Sequence, residues 1–156
     1  MEYKSTLPKL NLKIKKLPNG KIPLTKPKDG SCGYDLRSIE TKYIPYGSSA
    51  VFKTGLKMSF SKHYVADVRC RSGLGFKHSV LSFPGVIDSS YRGEVMVKMF
   101  NHGAHSSTND SKGYLVKAGD KICQIVFSLI AVEDFKVVDE LEASNRGEKG
   151  FGSSGK

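Results

Sequence analysis

Apolar and polar residues alternate along much of this chain. Phe52, Thr54, Leu56, Met58 and Phe60 fall on one face of an extended segment, Tyr64, Ala66, Val68 and Cys70 on one face of the next, and Val95, Val97 and Met99 on a third. A period of two puts alternate side chains on the same side of a pleated backbone, so each segment is predicted as a strand with one buried face. Between them lie Pro18-Asn19-Gly20, Lys28-Asp29-Gly30, Pro45-Tyr46-Gly47 and Ala118-Gly119-Asp120, all rich in residues that favour turns. Helical spacing is scarce: a short turn is expected near Ser72 to Lys77, and Glu133 to Ala143 fits neither period cleanly. The polar run "NHGAHSSTNDSKG" from Asn101 to Gly113 reads as an exposed loop between two strands. Many short strands divided by turns predict an all-β sandwich or barrel.

Composition narrows the class. A chain of 156 residues is long enough for one domain with a single core. No stretch approaches the ~20 apolar residues that span a bilayer, and the lysine-studded start lacks the apolar centre of a signal peptide. No membrane association is expected, and cytoplasmic (or nuclear) residence is the default. Cys32, Cys70 and Cys123 are odd in number and far apart, which implies neither a disulfide framework nor a cysteine zinc site. The net charge of +10 is uneven: residues 1–30 carry eight lysines against Glu2 and Asp29. That asymmetry suggests an anionic partner. Nucleic-acid binding is one reading, but no aromatic-interleaved or helix-turn-helix pattern accompanies the lysines, and a solvated basic surface is the simpler one.

Five stretches carry candidate chemistry. In "GVIDSSYRGEV", Gly85 to Val95, Asp88 follows a short apolar run and precedes small turn residues. It is either an Asx-turn aspartate capping a hairpin or a general base held at a strand end. "RCRSGLGFKH", from Arg69, offers a guanidinium, a hydroxyl and open backbone N–H groups, a set suited to phosphate oxygens and equally to an ordinary turn or helix cap. "SCGYDLRS" displays Asp35, and "AGDKICQIVF" sets Gln124 inside an apolar strand, where an amide caps a core network or reaches a ligand. The last stretch is the tail, "RGEKGFGSSGK". Its glycines allow close backbone approach, Arg146 and the serines suit phosphate, and Phe151 can stack on a flat ring, whereas Gly/Ser-rich ends are commonly disordered. His102 and His105 lack further ligands nearby and read as exposed side chains of the loop.

In this order, "CGYDLRS", "RCRSGLGFKH", "GVIDSSYRGEV", "GDKICQIVF" and "RGEKGFGSSG" resemble the five motifs of the trimeric dUTPase family. The resemblance implies a jelly-roll-like β-barrel subunit over residues 1–140 and a flexible C-terminal arm, 141–156, that closes over an active site. It implies a homotrimer with shared sites, and Mg²⁺-dependent hydrolysis of dUTP to dUMP and pyrophosphate, which limits uracil in DNA and supplies dUMP for dTTP synthesis. Asp88 is then the residue that assists attack of water on the α-phosphorus, and Tyr91 packs against the deoxyribose. Gly85, Val86, Ile87 and Met96 would read uracil. Arg71, Ser72, Gly73 and Gln124 would meet the phosphates, Asp35 the water shell of the metal, and Arg146, Phe151, Gly152 and Ser153 would complete the site from the arm.

The sequence departs from the family pattern at several positions. Ser90 stands where a second acidic residue is frequent, and Lys149 where glycine is usual. Ser82, itself among the expected substrate contacts, replaces an asparagine of many bacterial members. The loop from Asn101 to Gly113 is longer than usual, and Cys123 replaces a small residue. Two other readings compete: a dCTP deaminase on the same fold, set apart by the Tyr91 segment and the tail, and a binding or regulatory protein that keeps the scaffold and uses its basic N-terminus.

Overall fold

The computed structural model describes residues 8–18, 20, 24–25, 30–103, 113–131 and 133–150. Their elements run β1 (Lys13–Lys16), β2 (Leu24–Thr25), β3 (Gly33–Arg37), β4 (Lys42–Pro45), β5 (Ser49–Lys53), β6 (Leu56–Ser59), β7 (Tyr64–Arg69), α1 (Ser72–His78), β8 (Val80–Ser82), β9 (Gly85–Ile87), β10 (Met96–Asn101), β11 (Gly113–Val116) and β12 (Lys121–Leu129). Every ladder is antiparallel. The largest sheet has the order β2-β3-β12-β7-β9, and smaller ones pair β5-β10-β8, β4-β11 and β1-β6. Strands distant in sequence lie side by side, β3 with β12 and β5 with β10, which is the all-β architecture that the alternating pattern predicts, in the jelly-roll-like form that the resemblance implies. No helix among the described residues is long and apolar enough to cross a membrane.

The alternating faces meet in one core. Phe52, Leu56, Met58, Phe60, Ala66, Val68, Val95, Val97 and Met99 are all buried, together with Leu36, Ile44 and Ile125 from the neighbouring strands. Phe127 joins the sheets by edge-on contacts with Phe60 and Tyr34, at 5.2 and 5.5 Å between centroids. Burying one such side chain contributes about 1.5–3 kcal/mol. The run from Phe52 to Phe60 is two strands rather than one, because Gly55 turns the chain at φ 67°, a region that side chains disfavour. Two bonds pin this corner to the strand opposite: Thr54 Oγ1 donates to the Val95 carbonyl, and the Gly55 N–H donates to Glu94 Oε1 at 2.9 Å.

The turn expected near Ser72 to Lys77 is α1, stopped by Ser79 in the left-handed region at φ 54°. Glu133 to Ala143 forms neither helix nor strand. Its apolar residues pack on little among the described residues: Phe135, Val137 and Leu141 are 83%, 88% and 90% exposed. Without burial, apolar spacing alone does not hold an element. The polar run after Asn101 is flanked by β10 and β11, and residues 104–112, with His105, lie outside the described residues.

The three cysteines are free thiols in different settings: Cys32 exposed, Cys70 part-buried, Cys123 buried. Burial pushes the Cys123 thiol up to about 12. Since the thiolate is the nucleophile, Cys123 is inert below that value while the fold is intact. Iodoacetamide at pH 8 is expected to alkylate Cys32 in the native protein and to reach Cys123 only after denaturation, as read by peptide mass spectrometry. Equal labelling of both in native protein would show that the β3–β12–β7 core opens readily.

Candidate active site

Three of the five motif stretches meet across neighbouring strands. Asp35 on β3 lies opposite Gln124 on β12, which lies opposite Arg69 on β7. Directly opposed residues share a face, so the three form a row at one end of the five-stranded sheet. The chain then runs through Cys70 to Arg71, whose guanidinium turns back toward that row. Arg71 Nε donates to Asp35 Oδ1 at 3.1 Å, and its Nη1 donates to the Lys121 carbonyl at 3.2 Å. The Lys121 ammonium pairs with Asp35 Oδ2 at 2.6 Å. Gln124 is fixed too, its Nε2 donating to the Cys70 carbonyl at 3.2 Å. A cleft of about 330 Å³ opens beside this group, lined in part by Arg37, Arg71, Tyr114 and Lys121. Burial raises the Tyr114 phenol, so that wall stays neutral at ordinary pH.

Asp35, Arg71 and Lys121 together carry one net positive charge, which suits an anionic ligand. Among the described residues no group of three or more His, Cys, Asp or Glu side chains is placed to cage a metal. The donor set fits a more limited role. Each Asp35 oxygen already accepts from one cation, and a carboxylate offers about four lone-pair sites, so acceptors remain for water on an ion that arrives with substrate phosphates. Mg²⁺ typically keeps several waters in this way. No side chain caps the first turn of α1, and Ser72 and Gly73 there are exposed beside Arg71.

The stretch from Gly85 to Met96 builds a separate cleft of about 250 Å³, lined by Val68, Val86, Ile87, Asp88, Tyr91 and Met96 among others. Here the hairpin expected from the sequence is corrected. β9 pairs with β7, whereas β10 pairs with β5 and, from Met99 onward, with β8. The two strands part into different sheets, so the Asp88–Val95 connection bridges a gap instead of closing a ladder, and that gap is the cleft. Asp88 is exposed in the turn that follows β9, and its carbonyl accepts from the Tyr91 N–H at 3.0 Å. Tyr91 is held by its hydroxyl, which donates to the Glu94 carbonyl at 3.0 Å. Ser82 is not at the cleft wall. It is 3% exposed on β8, and its hydroxyl is directed at Cys70 Sγ, 3.4 Å away.

Within one chain the two groups stay apart. Gly85 lies opposite Val68 and Ile87 opposite Ala66, so β9 runs away from the Arg69 end of β7. Four residues of strand amount to roughly 13 Å, and with two strand spacings Asp88 sits roughly 16 Å from Gln124. Among the described residues Arg146 makes only local bonds, Nε to the Lys149 carbonyl at 2.9 Å and Nη2 to the Gly150 carbonyl at 3.4 Å. Phe151, Gly152 and Ser153 lie outside the described residues. The exposed His102 stacks edge-on with Phe100 at 4.6 Å between centroids. Two residues escaped the sequence reading. Lys121 adjoins "GD" in a quoted stretch, and a cation three residues before Gln124 was the available signal. Glu94, which anchors both Gly55 and Tyr91, gave none, because its partners are distant in sequence or are backbone groups.

Gly33 shows how tightly the row is set. A Cβ there would lie 2.3 Å from Gln124 Oε1, so only glycine lets the amide stand where it does. Gly33→Ala is expected to cost about 1–3 kcal/mol in urea unfolding, and most of that loss should vanish when Gln124→Ala is made first. A cost that is unchanged by removing Gln124 would place the strain elsewhere.

Comparison with known proteins agrees with this arrangement. The dUTPase family model matches residues 19–155. The deoxyuridine 5'-triphosphate nucleotidohydrolase of Clostridium acetobutylicum is 41% identical over 148 residues, covering 94% of this chain and 97% of its own. That of Candida albicans is 40% identical over 141 residues, covering 89% and 84%. Among solved structures, the dUTPase of Staphylococcus bacteriophage 80alpha with dUPNHPP superposes with a TM-score of 0.81 at 29% identity, covering 93% of this chain and 98% of that one. A variant dUTPase from phage phi11 of S. aureus, studied for the coordination of a structural Mg(II) ion, gives 0.73 at 26% identity, covering 85% and 99%. With the family model over residues 19–155 and relatives of about 40% identity along most of its length, the chain belongs to the dUTPase family.

Proposed function

We propose that this chain hydrolyses dUTP to dUMP and pyrophosphate by attack of water on the α-phosphorus, with Asp88 as the base and Mg²⁺ as the required ion. The open gap between β9 and β10, with Asp88 at the turn beside it, carries the reading. β9 is an edge strand of its sheet, so it presents N–H and C=O groups that no ladder uses. Such an edge matches the acceptor–donor–acceptor pattern of uracil, and the amino group of cytosine meets it with the wrong polarity. Tyr91, fixed through Glu94, forms the wall against which a deoxyribose packs and a ribose 2'-hydroxyl clashes. The exposed Asp88 carboxylate then takes a proton from the attacking water.

Arg71, Ser72, Gly73 and Gln124 receive the phosphates, and Arg71 and Lys121 offset charge that moves onto the pyrophosphate leaving group. Asp35 orients the metal's water shell. When bound, the ion neutralises phosphate charge and polarises the phosphoryl oxygens; the phi11 relative is described with a structural Mg(II) ion. Because Asp88 and Gln124 are too far apart within one chain to serve one phosphorus, a complete site draws its two halves from different copies. A homotrimer with sites at the subunit junctions meets that need, with residues 141–156 as the arm and Arg146, Phe151, Gly152 and Ser153 closing over substrate.

Pyrophosphate release with Mg²⁺ is expected from dUTP and not from dCTP, dTTP or UTP; turnover of all four would contradict the edge-strand reading of the base. Asp88→Asn should lower turnover by about 10²–10⁴ while the affinity for a non-hydrolysable dUTP analogue stays within a few-fold. Equal losses in affinity and turnover would make Asp88 a binding residue.

A further inference from the structure

Eight of the first thirty residues are lysines, and the proposed hydrolysis of dUTP gives none of them a role. Part of this basic stretch forms a defined surface. β1 pairs with β6, with Lys13 opposite Ser59 and Lys15 opposite Lys57. Opposed residues share a face, so these four side chains stand together on one side of the ribbon, while Leu56 and Met58 are buried on the other. Arg92 lines a groove of about 380 Å³ along the ribbon together with Lys13, Lys15 and Lys57, and with Ile14 and Met58. One of its terminal nitrogens, Nη1, donates to the Ser89 and Tyr91 carbonyls at 2.7 and 2.8 Å, which fixes the guanidinium, and among the described residues no acceptor takes its other donors.

Lys15 against Lys57 is a like-charge cross-strand pair, a destabilising placement. Among the described residues no carboxylate pairs with Lys13, Lys15, Lys57 or Arg92. An anion bound there would offset this repulsion. We propose that the groove binds the phosphodiester backbone of single-stranded nucleic acid. Same-face residues along a strand are about 6.7 Å apart, a step comparable to that between neighbouring phosphates of an extended single strand. Adjacent rows are about 4.8 Å apart, so the cationic track is one strand wide and too narrow to straddle a duplex. No aromatic side chain lines the groove. Bases are therefore not stacked, and binding is independent of sequence, driven by counterion release and steeply salt-dependent.

The test is fluorescence anisotropy of a labelled oligothymidylate with the full-length protein over a range of KCl concentrations, with a non-hydrolysable dUTP analogue filling the active site. The wild type should bind with a slope of log K against log salt near about −3, four contacts each worth about 0.7. The variant K13A/K15A/K57A should lose about tenfold or more in affinity at low salt and flatten the slope by about 2, with dUTP turnover unchanged. K13R/K15R/K57R should keep both affinity and slope. Absence of binding by the wild type, an unchanged slope in the alanine variant, or tighter binding of a duplex of equal length would each overturn the proposal. So would a changed oligomeric state of the alanine variant in light scattering with no effect on the oligonucleotide, which would assign the lysines to the acidic residues 133–142 of another copy.

Discussion

Strand β12 holds the site together by lying between β3 and β7. Its register puts Gln124 between Asp35 and Arg69, which brings three stretches distant in sequence to one edge. The contact is tight enough to need glycine at position 33 and polar enough to anchor Gln124 on the Cys70 carbonyl. Once it is in place, Arg71 reaches Asp35 and the Lys121 carbonyl without further support. A slip of β12 by one residue would turn Gln124 and Lys121 to the opposite face, so the candidate site and the core packing depend on the same ladder.

The same sheet also separates the chemistry. β9 adds to the far side of β7 and runs away from the cationic end, while β10 leaves for another sheet. The gap so produced is lined by unpaired backbone on one side and by Tyr91 on the other, which suits a flat base and its sugar. The cost of the gap is a connection without its own ladder, and Glu94 compensates: its carboxylate accepts from Gly55 and its carbonyl from Tyr91. The two groups thus lie apart within one chain, and the proposed function is on this account a property of an assembly.

Much of this was legible in the sequence for a physical reason. Alternation is a local signal, so the buried faces of β5, β6, β7 and β10 could be read directly, and the motif stretches named Asp35, Arg71, Asp88 and Gln124 by their chemistry and order. What escaped depends on pairing between distant residues. "GVIDSSYRGEV" has the small turn residues of a hairpin, and nothing within it reveals that its two ends join different sheets. Gly55 looked like one more position in an alternating run until its backbone turned the corner. Lys121 became part of the site only because the bulge between Lys121 and Cys123 leaves its ammonium on Asp35. Glu133 to Ala143 stayed ambiguous because its apolar residues bury little surface against the other described residues.

The claim that the two halves work only between copies is tested most directly by complementation. Arg71→Ala and Asp88→Asn subunits, each inactive alone, would be unfolded together, refolded as a mixture and assayed for pyrophosphate release from dUTP. The account predicts that activity reappears in the mixture, because some sites pair the intact phosphate half of one chain with the intact Asp88 of another. Mixed assemblies that form, as shown by mass spectrometry, and yet remain as inactive as either parent would contradict it.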